Sequence, residues 1–365
     1  MKLAGALLAL SVFLGLSGTR GRTQERAPSP RTDQQQLPAA QSQPAQASQS
    51  QANQPNQTSG TKQEEPPKII STTGLVHLVV TVTDRHRNFV TDLDENDFTV
   101  DEDGSPQRIL FFGRDTDLPL RIGLLLDTSN SIRPRLQFEQ DAAIDFLSSV
   151  IRPHKDMAFL MTFDNEPEVI QDFTTDISDL MDSIRRQRAG GGTALNDAIY
   201  RASEKLMNPP LPAGPNPEVR RVLVVISDGD DNLSDHALSE ALEEAIRSEC
   251  AIYAISTNTD WVATDNPDAP TKYHLDAGDK VLQQFSDESG GRVFFPYKVD
   301  DLAQSFVDIG TELRSQYFIA YSPTAPKSSG GYRKIQVETD RKGLLVRTRK
   351  GYYANAQTAQ GSGNK

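Results

Sequence analysis

The chain has 365 residues and a formal net charge of −12, from 50 acidic against 38 basic side chains. That length allows two domains, or one large domain with appendages, and the acidic balance without any basic run argues against a nucleic-acid partner. A single cysteine, Cys250, excludes an intrachain disulfide and, at the start of an apolar stretch, reads as a small buried hydrophobe rather than a reactive thiol.

The first residues have the form of an export signal. Lys2 supplies a positive start, residues 3–16 are apolar, and Ser17, Gly18 and Thr19 offer small residues for cleavage. The apolar run is too short for a comfortable bilayer crossing, so residues 1–21 are expected to be a signal peptide, with no further transmembrane span. The expected location is secreted, or periplasmic in the cell envelope. Residues 22–70 are dominated by Gln, Pro and Ser with hardly any large apolar side chain. Such a segment cannot bury enough surface to offset its conformational entropy and reads as a disordered tether.

Order is expected from about residue 73. Residues 76–83 are β-rich, 84–88 form a turn, and 93–98 a short helical or turn segment before a strand at 98–102. Asp103 and Gly104 are a hairpin signal, and 107–112 is expected to return as one strand. Three strands are too few to close a core. Residues 317–321, 332–338 and 344–348 are again strand-like, so the 71–116 and 317–353 arms are expected to form one β module around a central domain at 117–316, with a disordered tail at 354–365.

Within 117–316, strand and helix patterns alternate. Strands are expected at 120–126, 157–163, 219–226, 251–255 and 292–295, with 169–173 as an antiparallel edge. Helices are expected at 133–150, 177–187, 194–207, 239–248, 281–288 and 302–314. This alternation predicts an α/β fold with a doubly wound, mostly parallel sheet. Residues 258–279 form an unusually long polar connection.

Three stretches place oxygen-bearing side chains at strand tops, where ligand sites of such sheets lie. In the first, an apolar run through Leu126 ends in Asp127, Thr128, Ser129, Asn130 and Ser131. The alternate positions 127, 129 and 131 share one side if the segment stays extended. The second is Gly190, Gly191, Gly192 and Thr193, where the glycines allow close backbone approach to a ligand. The third is Asp228, directly after an apolar strand. Oxygen donors without His or Cys suit a hard divalent cation, Mg²⁺ or Mn²⁺ with Ca²⁺ as a further option, and do not suit zinc.

Each piece also has a plainer reading: Ser131 as the cap of the helix near 133, and Asp230 and Asp231 as a solvated acidic loop. No Gly-Lys-Ser/Thr follows the triple glycine, so it is not a phosphate loop. His77, His86, His154, His236 and His274 are scattered and suggest no triad or zinc cluster.

The five residues together resemble the von Willebrand factor type A domain with its metal-ion-dependent adhesion site. The family pattern is Asp-x-Ser-x-Ser after the first strand, a Thr in a later loop and an Asp after the fourth strand, supplied here by Asp127, Ser129, Ser131, Thr193 and Asp228. The flanking arms look like those of secreted bacterial relatives, and the 258–279 segment is a departure from the pattern. The resemblance implies a Rossmann-like fold in which Ser129 and Ser131 ligate the metal directly. Thr193, Asp127 and Asp228 would act directly or through water, and a partner protein's Asp or Glu carboxylate would complete the coordination. Binding rather than turnover is then the expected outcome. The alternatives are a metal-dependent hydrolase or phosphatase on the same sheet, for which no base or nucleophile stands beside the three loops in sequence, and a structural module stabilised by its metal.

Overall fold

The computed structural model describes residues 74–114, 118–213, 218–258, 261–262, 272–296, 299–324 and 331–354. The expected signal peptide, tether and tail lie outside the described residues.

The first strands are β1 (Val76–Asp84), β2 (Phe98–Glu102), β3 (Ser105–Gln107) and β4 (Ile109–Gly113). Then come β5 (Leu120–Asp127), α1 (Leu136–Val150), β6 (Met157–Phe163), β7 (Pro167–Thr174), α2 (Ile177–Arg185) and α3 (Leu195–Met207). They are followed by β8 (Arg220–Ser227), α4 (Leu238–Arg247), β9 (Cys250–Ser256), β10 (Trp261–Val262), β11 (Lys272–Tyr273), α5 (Ala277–Ser289), β12 (Val293–Phe294) and α6 (Val299–Glu312). The last strands are β13 (Tyr317–Tyr321), β14 (Tyr332–Thr339), β15 (Leu344–Arg347) and β16 (Gly351–Tyr353).

The central sheet has the order β12-β9-β8-β5-β6-β7. All neighbours are parallel except β7, which runs antiparallel at the edge. Every residue of β5 is buried, as a strand covered on both faces requires. Its pleat divides it: Leu120, Ile122, Leu124 and Leu126 enter the cluster with α1, α2 and α6, while Leu125 joins α3, α4 and α5 on the other side. Gly123 faces that second side because a Cβ there would lie 2.5 Å from Phe159.

The outer strands build an accessory module of two antiparallel sheets, β15-β1-β13-β4 and β16-β14-β2-β3, which share one apolar cluster. β1 lies between β13 and β15, so strands from before and after the α/β unit pair directly. Alternation along β1 supplies Val76, Leu78, Val80 and Val82 to the core. Asp103 and Gly104 form the turn with positive φ of 51° and 78°, as a two-residue hairpin needs.

The single strand expected at 107–112 is two strands. β3 pairs with β2, and beyond Arg108 the chain crosses to the other sheet, where β4 pairs with β13. Gln107 holds the crossing point through its amide, which donates to the Ser105 carbonyl and accepts from the Thr324 N–H. The long connection at 258–279 also carries structure: β10 and β11 pair antiparallel, and α5 begins at Ala277, four residues before the expected helix start.

The two units meet at the N-terminal end of β8. Arg220 donates to the Leu313 carbonyl and pairs with Gln316, and Gln316 donates to Thr81 Oγ1 of β1 at 2.6 Å. Tyr253 OH donates to the buried Glu312, which also pairs with Arg347 of β15. The three sequence-predicted loops lie at the opposite, carboxyl end of the same strands. Among the described residues no helix is long and apolar enough to cross a membrane.

Candidate metal centre

β5 and β8 are parallel neighbours in register, Leu126 beside Ile226, so their ends deliver Asp127 and Asp228 to the same edge. Asp127 is fully buried. Its Oδ1 accepts the Ser129 N–H at 2.8 Å and its Oδ2 accepts the Ser227 hydroxyl at 2.7 Å. Burial pushes the Asp127 carboxyl up to about 6; the hydrogen bonds from Ser129 and Ser227 oppose this rise, and the charge of Asp228 adds to it.

The Ser131 hydroxyl donates to Asp228 Oδ2 at 2.7 Å, and the Ser129 and Ser131 hydroxyls lie 2.9 Å apart. The two loops therefore share a chain of oxygens running Ser129, Ser131, Asp228, with Asp127 tied in through Ser227 and the Ser129 backbone. Ser131 is the exposed member; Asp127, Ser129, Thr193 and Asp228 are buried. Ser131 does not cap α1. That helix starts at Leu136, with Arg135 at its cap position and no side-chain cap bond.

Thr193 arrives on the loop before α3. Its N–H donates to Asn232 Oδ1, and its carbonyl accepts from the N–H groups of Asn232 and Leu233 at 3.0 and 3.1 Å. The same loop is stitched to the first: Gly190 N–H donates to the Thr128 carbonyl at 2.7 Å, and Asn130 donates to the Gly191 carbonyl through its side-chain amide at 3.0 Å. Two glycines of the triple-glycine stretch admit neighbouring loops. Gly191 has φ +82° with Asn165 packed against it, and a Cβ on Gly192 would lie 2.5 Å from Leu233 and 2.8 Å from Asn232.

A fourth element fixes Asp228 from behind. Gly229, at φ +82°, and Gly278 in the first turn of α5 touch backbone to backbone; a Cβ on Gly278 would lie 2.2 Å from the Asp228 carbonyl oxygen. Asn258 donates from its side-chain amide to that same carbonyl at 2.8 Å and to Asp279 Oδ1 at 3.1 Å. Sequence reasoning missed Asn165, Asn232, Asn258 and Gly278, because each acts through a partner distant in the chain.

One further expectation changes. Asp231 is not simply a solvated acid: its Oδ2 accepts the Asn196 N–H at 2.7 Å in the first turn of α3 and the Ser234 hydroxyl at 2.6 Å. His236 is a satisfied histidine, 2.7 Å from Asp197 Oδ1 through its Nδ1 and stacked on Tyr200.

Two carboxylates and three hydroxyls, all oxygen, are the donor chemistry of a hard divalent cation. Among the described residues no group of three or more His, Cys, Asp or Glu side chains is placed to hold a metal ion, so hydroxyls are indispensable to any such site here.

Residues 122–230 match the family model of the von Willebrand factor type A domain, a segment that contains all five oxygen-bearing residues. Over those residues the chain is similar to von Willebrand factor type A domains. A comparison with curated proteins gives no match. Similar solved structures include "von Willebrand factor type A from Catenulispora acidiphila", at 12% identity and TM-score 0.44, covering 78% of this chain and 75% of that one. Another is proximal thread matrix protein 1 from the mussel byssus "with zinc occupied MIDAS motif", at 18% identity and TM-score 0.42, covering 60% and 50%. A third is the vWF domain of the type V pili tip protein Mfa5 from Porphyromonas gingivalis, at 14% identity and TM-score 0.40, covering 53% and 94%. Within the matched segment, the site edge is assembled from the ends of β5 and β8 and from the loop that leads into α3.

Proposed function

We propose that this protein is an extracytoplasmic binding module whose type A domain recognises a partner protein through a divalent cation, Mg²⁺ or Mn²⁺, held by Asp127, Ser129, Ser131, Thr193 and Asp228. In this reading residues 117–316 form the cation-binding domain and the arms at 71–116 and 317–353 form its supporting β module, behind a signal peptide and a tether. The observation that carries it is the continuous oxygen chain from Ser129 through Ser131 to Asp228, with Asp127 buried beneath it. Ser227 and the Ser129 N–H orient Asp127, and Asn258 and Gly278 hold the Asp228 backbone, so the donors stand ready before any ligand arrives. A cation bound there supplies positive charge and an open coordination position that suits a partner's Asp or Glu carboxylate.

Binding without turnover is supported by the way the site's own groups are already engaged. Asp127, Ser129, Ser131 and Asp228 are engaged with one another, and His236 is committed to Asp197. Calorimetric titration of Mg²⁺ and Mn²⁺ into wild-type protein and Asp127→Ala tests the site. The variant is expected to lose divalent binding while keeping its circular dichroism spectrum. Wild-type affinity in Asp127→Ala refutes the assignment.

A further inference from the structure

Glu139 has no part in the arrangement above, yet it is the most anomalous buried group near it. It lies in the first turn of α1, directly after the loop that carries Asp127, Ser129 and Ser131. It is 1% exposed, and neither of its carboxyl oxygens has a hydrogen-bond partner. Buried polar atoms are nearly always paired, and a carboxylate taken out of water without a partner is among the costliest groups a core can hold.

The surrounding helix shows that an apolar side chain is the ordinary choice here. The core-facing stripe of α1 runs Leu136, Ala143, Leu147 and Val150, and Glu139 occupies the turn between the first two. Its neighbour Gln140, also buried, is fully accounted for, with its amide donating to the carbonyls of Ile184 and Gln187. Glu139 alone is left open. Burial pushes its carboxyl up to about 8; Arg135 opposes the shift, and the charges of Asp127 and Asp228 add to it, so the three carboxyl groups lie within electrostatic reach of one another. No three carboxylates among the described residues are close enough to grip one ion together, which places Glu139 outside the ligand set.

We propose that Glu139 is the third anion of the cation site: a positioning residue, unpaired within the protein, whose charge is balanced by the divalent ion and reaches it through space or an intervening water. This inference rests on the cation-binding reading. Its consequence is that the site holds its cation tightly before a partner arrives, because the bound ion is balanced by three protein carboxylates rather than two. Outer groups of this kind commonly set metal affinity by one to two orders of magnitude.

The test uses the full chain and the metal alone. Mn²⁺ and Mg²⁺ are titrated calorimetrically into wild type, Glu139→Gln, Glu139→Leu and Asp127→Ala, and each protein is melted in EDTA and in saturating Mn²⁺. Both Glu139 variants are expected to bind Mn²⁺ about 10- to 100-fold more weakly than wild type. In EDTA their melting temperatures are expected to equal or exceed that of wild type, since an amide or an isobutyl group is easier to bury than an unpaired carboxyl. Leu suits the apolar stripe, so it secures a folded, uncharged variant should Gln fail to fold. A purely structural Glu139 predicts the reverse: lower melting in EDTA with Mn²⁺ affinity unchanged in the folded variant. Wild-type affinity in either folded variant overturns the proposal, while a wild-type protein that takes up neither ion overturns the cation reading itself.

Discussion

Replacing Gly278 with Ala tests whether the backbone contact behind Asp228 governs the site. The new methyl would lie 2.2 Å from the Asp228 carbonyl oxygen, 2.9 Å from the Gly229 carbonyl carbon and 3.0 Å from the Asp230 nitrogen. Ordinary contact begins near 3.4 Å, so the first turn of α5 has to retreat by about 1.2 Å. It is not free to do so. Asp279 accepts the Ser256 hydroxyl at 2.7 Å, and Leu282 and Phe285 are locked in the core.

Overpacking of this kind costs up to about 3 kcal/mol, and all three obstacles are backbone, which cannot rotate away. Ala is about 1 kcal/mol better than Gly inside a helix, which leaves a net loss of about 2 kcal/mol. The control is Gly190→Ala on the facing loop, where a Cβ meets no heavy atom within 4 Å and φ is not positive, so the change is expected to stay within about 0.5 kcal/mol. Urea unfolding reads both as midpoint shifts at constant slope, and Mn²⁺ calorimetry on the same samples reads whether Asp228 has moved. Equal midpoints for Gly278→Ala and Gly190→Ala, or wild-type metal affinity in a destabilised Gly278→Ala, would refute this account.

Two other outcomes follow from buried groups away from the site. In the β module Glu102 pairs with Arg333 and also accepts the hydroxyls of Tyr321 and Tyr352, with Glu102 and Arg333 both under 5% exposed. Arg333→Ala strands that carboxylate and is expected to cost about 3–5 kcal/mol in chemical denaturation; a loss under about 1 kcal/mol would show that the pair is not integral to the module. Burial pushes the Cys250 thiol up, and its side chain is 2% exposed. A thiol reagent should therefore leave the native protein unlabelled and react only after unfolding, and stoichiometric labelling of the folded chain would contradict its placement.

The order of strands and helices in the central domain was legible in the sequence because local periodicity reports it. An unbroken apolar run such as 122–126 can only be a strand covered on both faces or a buried helix, and the turn residues around it decide for the strand. The candidate metal residues were legible for a similar reason: Asp127, Ser129 and Ser131 are close in the chain, and Thr193 and Asp228 each sit beside a recognisable glycine or strand end.

What needed the tertiary structure is every relation between residues far apart in the chain. The crossing at Arg108 splits one expected strand between two sheets because β3 pairs back onto its neighbour β2, while β4 pairs with β13 from the far end of the chain. Local pattern carries no information about such partners. Ser131 could cap a helix or bond a carboxylate by its type alone; the register of β5 beside β8 decides, setting its hydroxyl 2.7 Å from Asp228. Gly278 falls in the expected polar connection, and only the structure sets it against the Asp228 carbonyl. Nothing in the sequence pattern singles out Glu139, whose burial is seen only in the structure. Residue chemistry and local spacing thus determined which elements and donors exist, and only close packing, which brings remote atoms within 3 Å, decided which of them meet.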